Sequence, residues 1–237
     1  MFARREVSRI EGFSDAVFGF ALTLLVVSLE VPADFRDLAK VLSGFLPFAI
    51  TFAVVIWIWF EHYLFFRRFG PEDGRTVLLN AVLLFVVLFY VYPLKFVFSN
   101  LMPRVTFGGF ERSAEGFADM TVDDARWLLS AYSAGFIAVF GVFALLYGHA
   151  SRQADELGLD TLERFDVRAG IRRHQVSVVI GLISLVFAVA LPPHLLWLSG
   201  TIFWLLGPAH ALVGRRSGRA RARLAAPPEP ADTPAEG

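Results

Sequence analysis

The chain has 237 residues, of which 56% are hydrophobic and 15% aromatic, and its formal charge at pH 7 is zero. Soluble domains hold roughly 45–50% apolar residues, so this excess, with a mean hydropathy of +0.57, excludes an ordinary soluble protein and points to a polytopic membrane chain. There is no cysteine, which excludes disulfides, thiolate metal sites and cysteine nucleophiles.

A membrane-spanning helix needs about 20 mostly apolar residues. The first candidate, about 12–30, follows a short basic stretch and superficially resembles a signal peptide. It carries Asp15 and no convincing small-x-small cleavage site follows it, so it reads as a retained span. With Asp15 as origin on a helical wheel of about 100° per residue, Leu22 and Val26 share its side. Leu24 falls about 180° away, with Phe13, Val17 and Phe20 near it, Thr23 at the side and Val27 and Ser28 further along. An intramembrane carboxylate is costly and is a functional candidate. Two readings of Asp15 stand at this point. If it lines a water path, the chain is a proton- or cation-coupled secondary transporter using Asp15 and His62, with Glu61 as a further titratable group. If it locks its helix to neighbours, the apolar stripe is free to face an oligomer axis.

The second span, about 43–66, ends in a run carrying Trp59, Glu61 and His62. Trp59 and His62 are three apart and share a face. The third, about 76–98, carries Asn80, Pro93 and Lys95. Ser14, Asp15, Trp59, His62 and Asn80 thus occupy one depth, where polar groups must find each other because water is scarce. Arg9 is a candidate counter-charge for Asp15, and Glu61 reads as interfacial. The loop over 99–124 is expected to form a short amphipathic segment around Asp119–Trp127. A fourth span at about 125–147 is rich in small residues, and Pro192-Pro193 alone separates a fifth (about 174–191) from a sixth (about 194–213). Residues 1–213 therefore read as one six-span domain, and 214–237 as a basic, then Pro-rich and disordered tail.

Orientation follows from the Lys and Arg count. With the N-terminus inside, sixteen of the 22 basic residues fall on that side, which places both termini in the cytoplasm. The cluster from Arg215 to Arg223 then lies where anionic lipid headgroups attract it; the same bias removes the need to invoke nucleic acid. The segments on the other side are comparatively acidic. No nucleophile elbow, His-Glu-x-x-His, phosphate loop or dinucleotide glycine pattern is present. The five histidines are spread along the chain, so neither an enzyme nor a metal cluster is expected, and His149, His174 and His194 read as surface or interface residues.

Arg9-x-x-x-Phe13-Ser14-Asp15, followed by Thr23-Leu24-Leu25-Val26, resembles the signature of the lysosomal-type potassium channel family in its bacterial form. Trp59-x-x-His62 and Asn80 continue the likeness, and six spans with cytoplasmic termini agree with it over about 1–213. The resemblance implies an all-α membrane protein of the inner (plasma) membrane, a homotetramer whose first helices line a central potassium path. It implies that Phe13-Ser14-Asp15 organises packing without touching the ion. It places the constriction at Leu24 and links Thr23 to selectivity, with Phe20, Val27 and Ser28 lining the rest. No cofactor is implied; potassium is the transported ion. The chain has no carbonyl filter sequence, so an apolar constriction must gate by dewetting.

Overall fold

A computed structural model describes residues 8–27, 31–70, 73–101, 103–106, 109–112 and 120–225. Ser28 and the stretch 226–237 lie outside the described residues, and with them the expected pore role of Ser28 and the disorder expected of the tail's end. Six helical segments are long and apolar enough to cross a membrane: Arg9–Val27, Phe45–Phe69, Gly74–Ser99, Val122–Arg152, Thr161–Ala190 and Pro193–Leu224. The protein is an all-α, multi-pass membrane protein.

The first span is α1 (Arg9–Val27), opened by a capping box in which Ser8 and Glu11 exchange backbone and side-chain bonds (2.8 and 3.2 Å). A short helix the sequence reading did not foresee, α2 (Phe35–Ser43), leads into α3 (Phe45–Phe69) and α4 (Gly74–Leu101). Pro93 sits inside α4 without breaking it. Of the amphipathic segment expected around Asp119–Trp127, Asp119 lies outside the described residues. Pro103–Thr106 and Gly109–Arg112 pair as a small antiparallel hairpin, and Trp127 already belongs to α5 (Val122–Arg152). α5 and α6 (Thr161–Ala190) both start with capping boxes, Thr121 with Asp124 and Asp160 with Glu163.

The sixth span is not one regular helix. Single 3₁₀ turns at Pro193–Leu195 and Ile202–Leu205 alternate with α7 (Trp197–Thr201) before α8 (Leu206–Ala225). α8 runs well past the expected end of the span, so residues 214–225 of the expected tail are helical.

The core lies between α3, α4, α5 and α6, and α5 with α6 form the most extensive helix pair. Glycine makes close crossings possible: a Cβ on Gly135 would sit 2.3 Å from the Tyr90 ring, and one on Gly170 2.4 Å from Tyr147. Three buried serines stitch the far end, with Ser133 Oγ 2.7 Å from Ser184 Oγ, and Ser199 Oγ donating to Ser184 O at 2.9 Å. Arg126 closes the end of α6 by donating to the carbonyls of Ala188, Val189 and Leu191 (2.9, 2.8 and 2.5 Å). By contrast α1 is held loosely: it buries one stripe, Ser14, Phe18, Ala21 and Leu25, against α3 and α4.

Candidate functional site

At the foot of α1 the sequence-predicted polar residues converge. Ser14 is fully buried and has one hydroxyl proton, which it gives to the Ile10 carbonyl at 2.8 Å. It therefore accepts from Asn80 Nδ2 at 2.9 Å. That fixes the Asn80 amide with Oδ1 toward His62, so His62 Nε2 carries the proton donated across 2.9 Å. The His62 ring is flanked by Phe18 and Phe66, at 5.5 and 4.4 Å between centroids. One relay thus ties α1 to α4 and α4 to α3 by groups with almost no solvent contact.

Asp15 is fixed separately. Trp59 Nε1 on α3 donates to its Oδ1 at 2.8 Å, and the carboxylate otherwise faces out of the subunit. Among the described residues Arg9 makes no ion pair with Asp15; Arg9 and Phe13 are both exposed and stand outside this network. The structure therefore joins Ser14, Asp15, Trp59, His62 and Asn80 into one clasp and leaves Arg9 and Phe13 out of it.

The clasp sets the rotation of α1. Its buried stripe lies about 90° around the helix from Asp15, so the free face centres on Ala16 and Thr23 and not directly opposite Asp15. Gly12, Ala16, Gly19 and Thr23 form a small-residue line on that face, and Phe20 (57% exposed) and Val27 (70% exposed) stand beside it. Leu24 is half-buried at the margin.

A second buried polar cluster was not legible as such. Glu61, expected at the interface, is buried, and Arg173 Nη2 of α6 donates to its Oε2 at 2.6 Å. His174, expected at the surface, is 1% exposed among the rings of Phe140, Phe143 and Tyr147, with Nε2 3.8 Å from Glu61 Oε2. His210 of α8 closes the group, its Nε2 2.9 Å from Ser177 Oγ. His149 is also buried, not superficial, because its Nε2 lies 2.5 Å from Asp73 in the turn between α3 and α4. Partial burial alone would raise the Asp73 carboxyl's pKa, but the Thr76 amide and the His149 ring hold it well below the usual carboxylate range. The signal for these pairs was the adjacency of Glu61 with His62 and of Arg173 with His174, ionisable neighbours inside or beside apolar spans. Among the described residues no group of three or more His, Cys, Asp or Glu is placed to hold a metal ion.

Comparison with known proteins gives one consistent picture. The family model for the endosomal/lysosomal potassium channel TMEM175 matches residues 9–90, the stretch holding the whole clasp. A potassium channel of Marivirga tractuosa is 37% identical over 232 residues, covering 94% of this chain and 92% of its own length. A potassium channel of Chamaesiphon minutus is 27% identical over 87% of this chain and 94% of its own. The crystal structure of a threonine-to-alanine variant of the potassium channel MtTMEM175 superposes with a TM-score of 0.79 at 35% identity, covering 92% of this chain and 97% of that one.

Proposed function

The chain belongs to the TMEM175 family of potassium channels, and from that premise we propose that it is a potassium-selective cation channel working as a homotetramer. Four copies of α1 surround the path, each held to its own subunit by the Ser14–Asn80–His62 relay and the Asp15–Trp59 bond. Its place is the inner (plasma) membrane, with the arginine-rich end in the cytoplasm against anionic headgroups.

The observation that carries this reading is the free face of α1. A helix facing only lipid has no use for a line of glycine, alanine and threonine, whereas small residues let helices approach closely. Beside that line Phe20 projects outward and Val27 does so two turns beyond it, with Leu24 reaching in from the margin. Phe20 and Leu24 together form the apolar constriction, which passes ions by wetting and dewetting, and Thr23 offers the hydroxyl between them. Its proton is given to the Gly19 carbonyl at 2.9 Å, which leaves its oxygen lone pairs for a cation. Asp15 and His62 are each engaged by a neighbouring side chain, an arrangement that suits scaffolding better than proton transfer.

The test is ion flux through the purified protein in liposomes, potassium against sodium. Phe20→Ala and Leu24→Ala are expected to enlarge the flux and weaken the preference for potassium, Phe20→Ala the more strongly. Unchanged flux and ion preference in both variants would place the constriction elsewhere. Flux that requires a proton gradient would establish a coupled transporter instead.

A further inference from the structure

Between α6 and α8, at the arginine-rich end of the bundle, lies an open groove of about 730 Å³. The two helices are antiparallel, so Ile180 and Leu205 mark its deep end and Phe165 and Ala220 its outer end. From Leu205 to Ala220 the helical rise gives about 22 Å, close to half the thickness of a bilayer with its headgroups, roughly 20–22 Å. The groove is therefore as long as one leaflet is thick.

Its lining divides along that length. Val176, Val179, Ile180, Leu205 and Val213 make an apolar floor, while Arg172 and Arg216 stand over it nearer the outer end, with Gln175 and Ser217 between. Among the described residues no acidic side chain lines it. Three neighbouring arginines are already engaged, Arg164 with Asp155, Arg173 with Glu61 and Arg221 with Asp166, and Arg215 and Arg219 do not line the groove. Arg172 and Arg216 are exposed and, among the described residues, have no carboxylate within ion-pair distance. Arg172 instead lies over the Phe165 ring, 5.7 Å from its centroid, which orients its guanidinium at the groove's mouth. A guanidinium pair favours a phosphate, which it grips through several charge-assisted bonds. An apolar floor one leaflet deep favours a hydrocarbon chain.

We infer that this groove binds one anionic phospholipid of the leaflet at the arginine-rich end, its phosphate on Arg172 and Arg216 and one acyl chain along Val176, Ile180 and Leu205. The site rests on the membrane-spanning fold and its orientation, and is independent of which ion permeates. It differs from a diffuse attraction of the basic tail to the membrane because it has a fixed partner for each end of the lipid.

The experiment is native mass spectrometry of the full chain in detergent, titrated separately with dioleoylphosphatidylglycerol and dioleoylphosphatidylcholine. One phosphatidylglycerol per chain is expected, at least tenfold preferred over phosphatidylcholine. Arg172→Gln with Arg216→Gln should weaken that binding by about thirtyfold, from the usual contribution of an arginine near an anionic surface. The control pair Arg215→Gln with Arg219→Gln, both on α8, removes the same charge at the same end of the bundle and should change it by less than about threefold. Ala209→Trp fills the groove without altering charge and should abolish binding of the tight lipid, which keeps the site testable if the double arginine variant fails to fold. Equal affinity for the two lipids, or equal loss in the control pair, would overturn the site. So would a change in the number of chains per particle on Ala209→Trp, since the groove would then be covered by a second copy.

Discussion

Replacing Asn80 by leucine tests whether the relay at the foot of α1 is worth what its burial implies. Asn80 is 3% exposed, and its amide holds Ser14 Oγ and His62 Nε2 at 2.9 Å each. Leucine repeats the branching and heavy-atom count of asparagine with bulkier termini, so the loss is chiefly polar. Ser14 keeps its bond to Ile10, but the His62 N–H is left buried without a partner. An orphaned buried donor costs about 1–3 kcal/mol, although hydrogen bonds between membrane helices average nearer about 0.6 kcal/mol. A loss of about 1–2 kcal/mol is therefore expected, read as a fall of roughly 2–8 °C in the melting midpoint for a chain of this size. His62→Phe alone orphans the Asn80 oxygen and should cost a similar amount. The double variant removes both partners and leaves a phenyl ring between Phe18 and Phe66, so it should be no less stable than either single variant. Thermal unfolding of the four proteins in one detergent completes the cycle. Additive losses would refute the claim that these two groups satisfy each other.

The Glu61–Arg173 pair is buried on the carboxylate side, and removing one partner of a buried pair typically costs about 3–5 kcal/mol. Arg173→Met is expected to prevent recovery of folded protein, and Arg173→Met with Glu61→Gln to restore it, as read by size-exclusion chromatography. Asp73 gives the pH dependence. Its carboxyl pKa is depressed in the folded chain by the Thr76 amide and the His149 ring, against the effect of its partial burial. A depressed folded value adds stability above the unfolded value of about 3.9 and loses it as pH falls through the folded value. The melting midpoint should thus drop as pH falls from about 4 towards 2, and should drop less in Asp73→Asn; equal drops would remove Asp73 from the account. Because the side chain is one-third exposed, the effect is discounted for solvent screening.

Much of this architecture was readable because a membrane makes sequence rules strict. The six spans, the placement of basic residues at one end, and the meeting of Ser14, Asp15, Trp59, His62 and Asn80 all follow from hydropathy, depth and the need to satisfy polar groups in lipid. What was not readable depends on rotation and on helix ends. The wheel placed the free face opposite Asp15 because a charge was expected to point inward; in fact Ser14 points inward and Asp15 lies beside it, held by Trp59. Glu61 looked interfacial because its partner, Arg173, lay one residue outside the predicted fifth span, which the structure begins at Thr161. Hydropathy marks where a helix is apolar, not where its capping box starts it. The extension of α8 to Ala225 was missed for the same reason.

The loose seating of α1 leads to a prediction about how a subunit surface bond controls the path. α1 buries one residue in every three or four, so its rotation is set by few contacts, and on the Asp15 side of the free face, among the described residues, the Trp59–Asp15 bond is the side-chain hydrogen bond that holds it. Trp59→Phe keeps an aromatic ring beside Tyr63, with which Trp59 now stacks at 5.8 Å, and removes the N–H alone. The buried relay through Asn80 is untouched, so the melting midpoint should move by no more than about 2–4 °C, the shift that corresponds to about 1 kcal/mol. The path should respond far more. A rotation of α1 by about 20° would carry Phe20 and Thr23 sideways by about 1–2 Å at side-chain radius, enough to change an apolar constriction whose wetting depends on its width. Liposome flux with Trp59→Phe is therefore expected to show altered size and ion preference at nearly unchanged stability. Restoring wild-type flux with Trp59→His, which can again donate a ring N–H, would assign the effect to the bond. Wild-type flux and selectivity in Trp59→Phe would mean that the relay alone orients α1, and that Asp15 serves no purpose in setting the path.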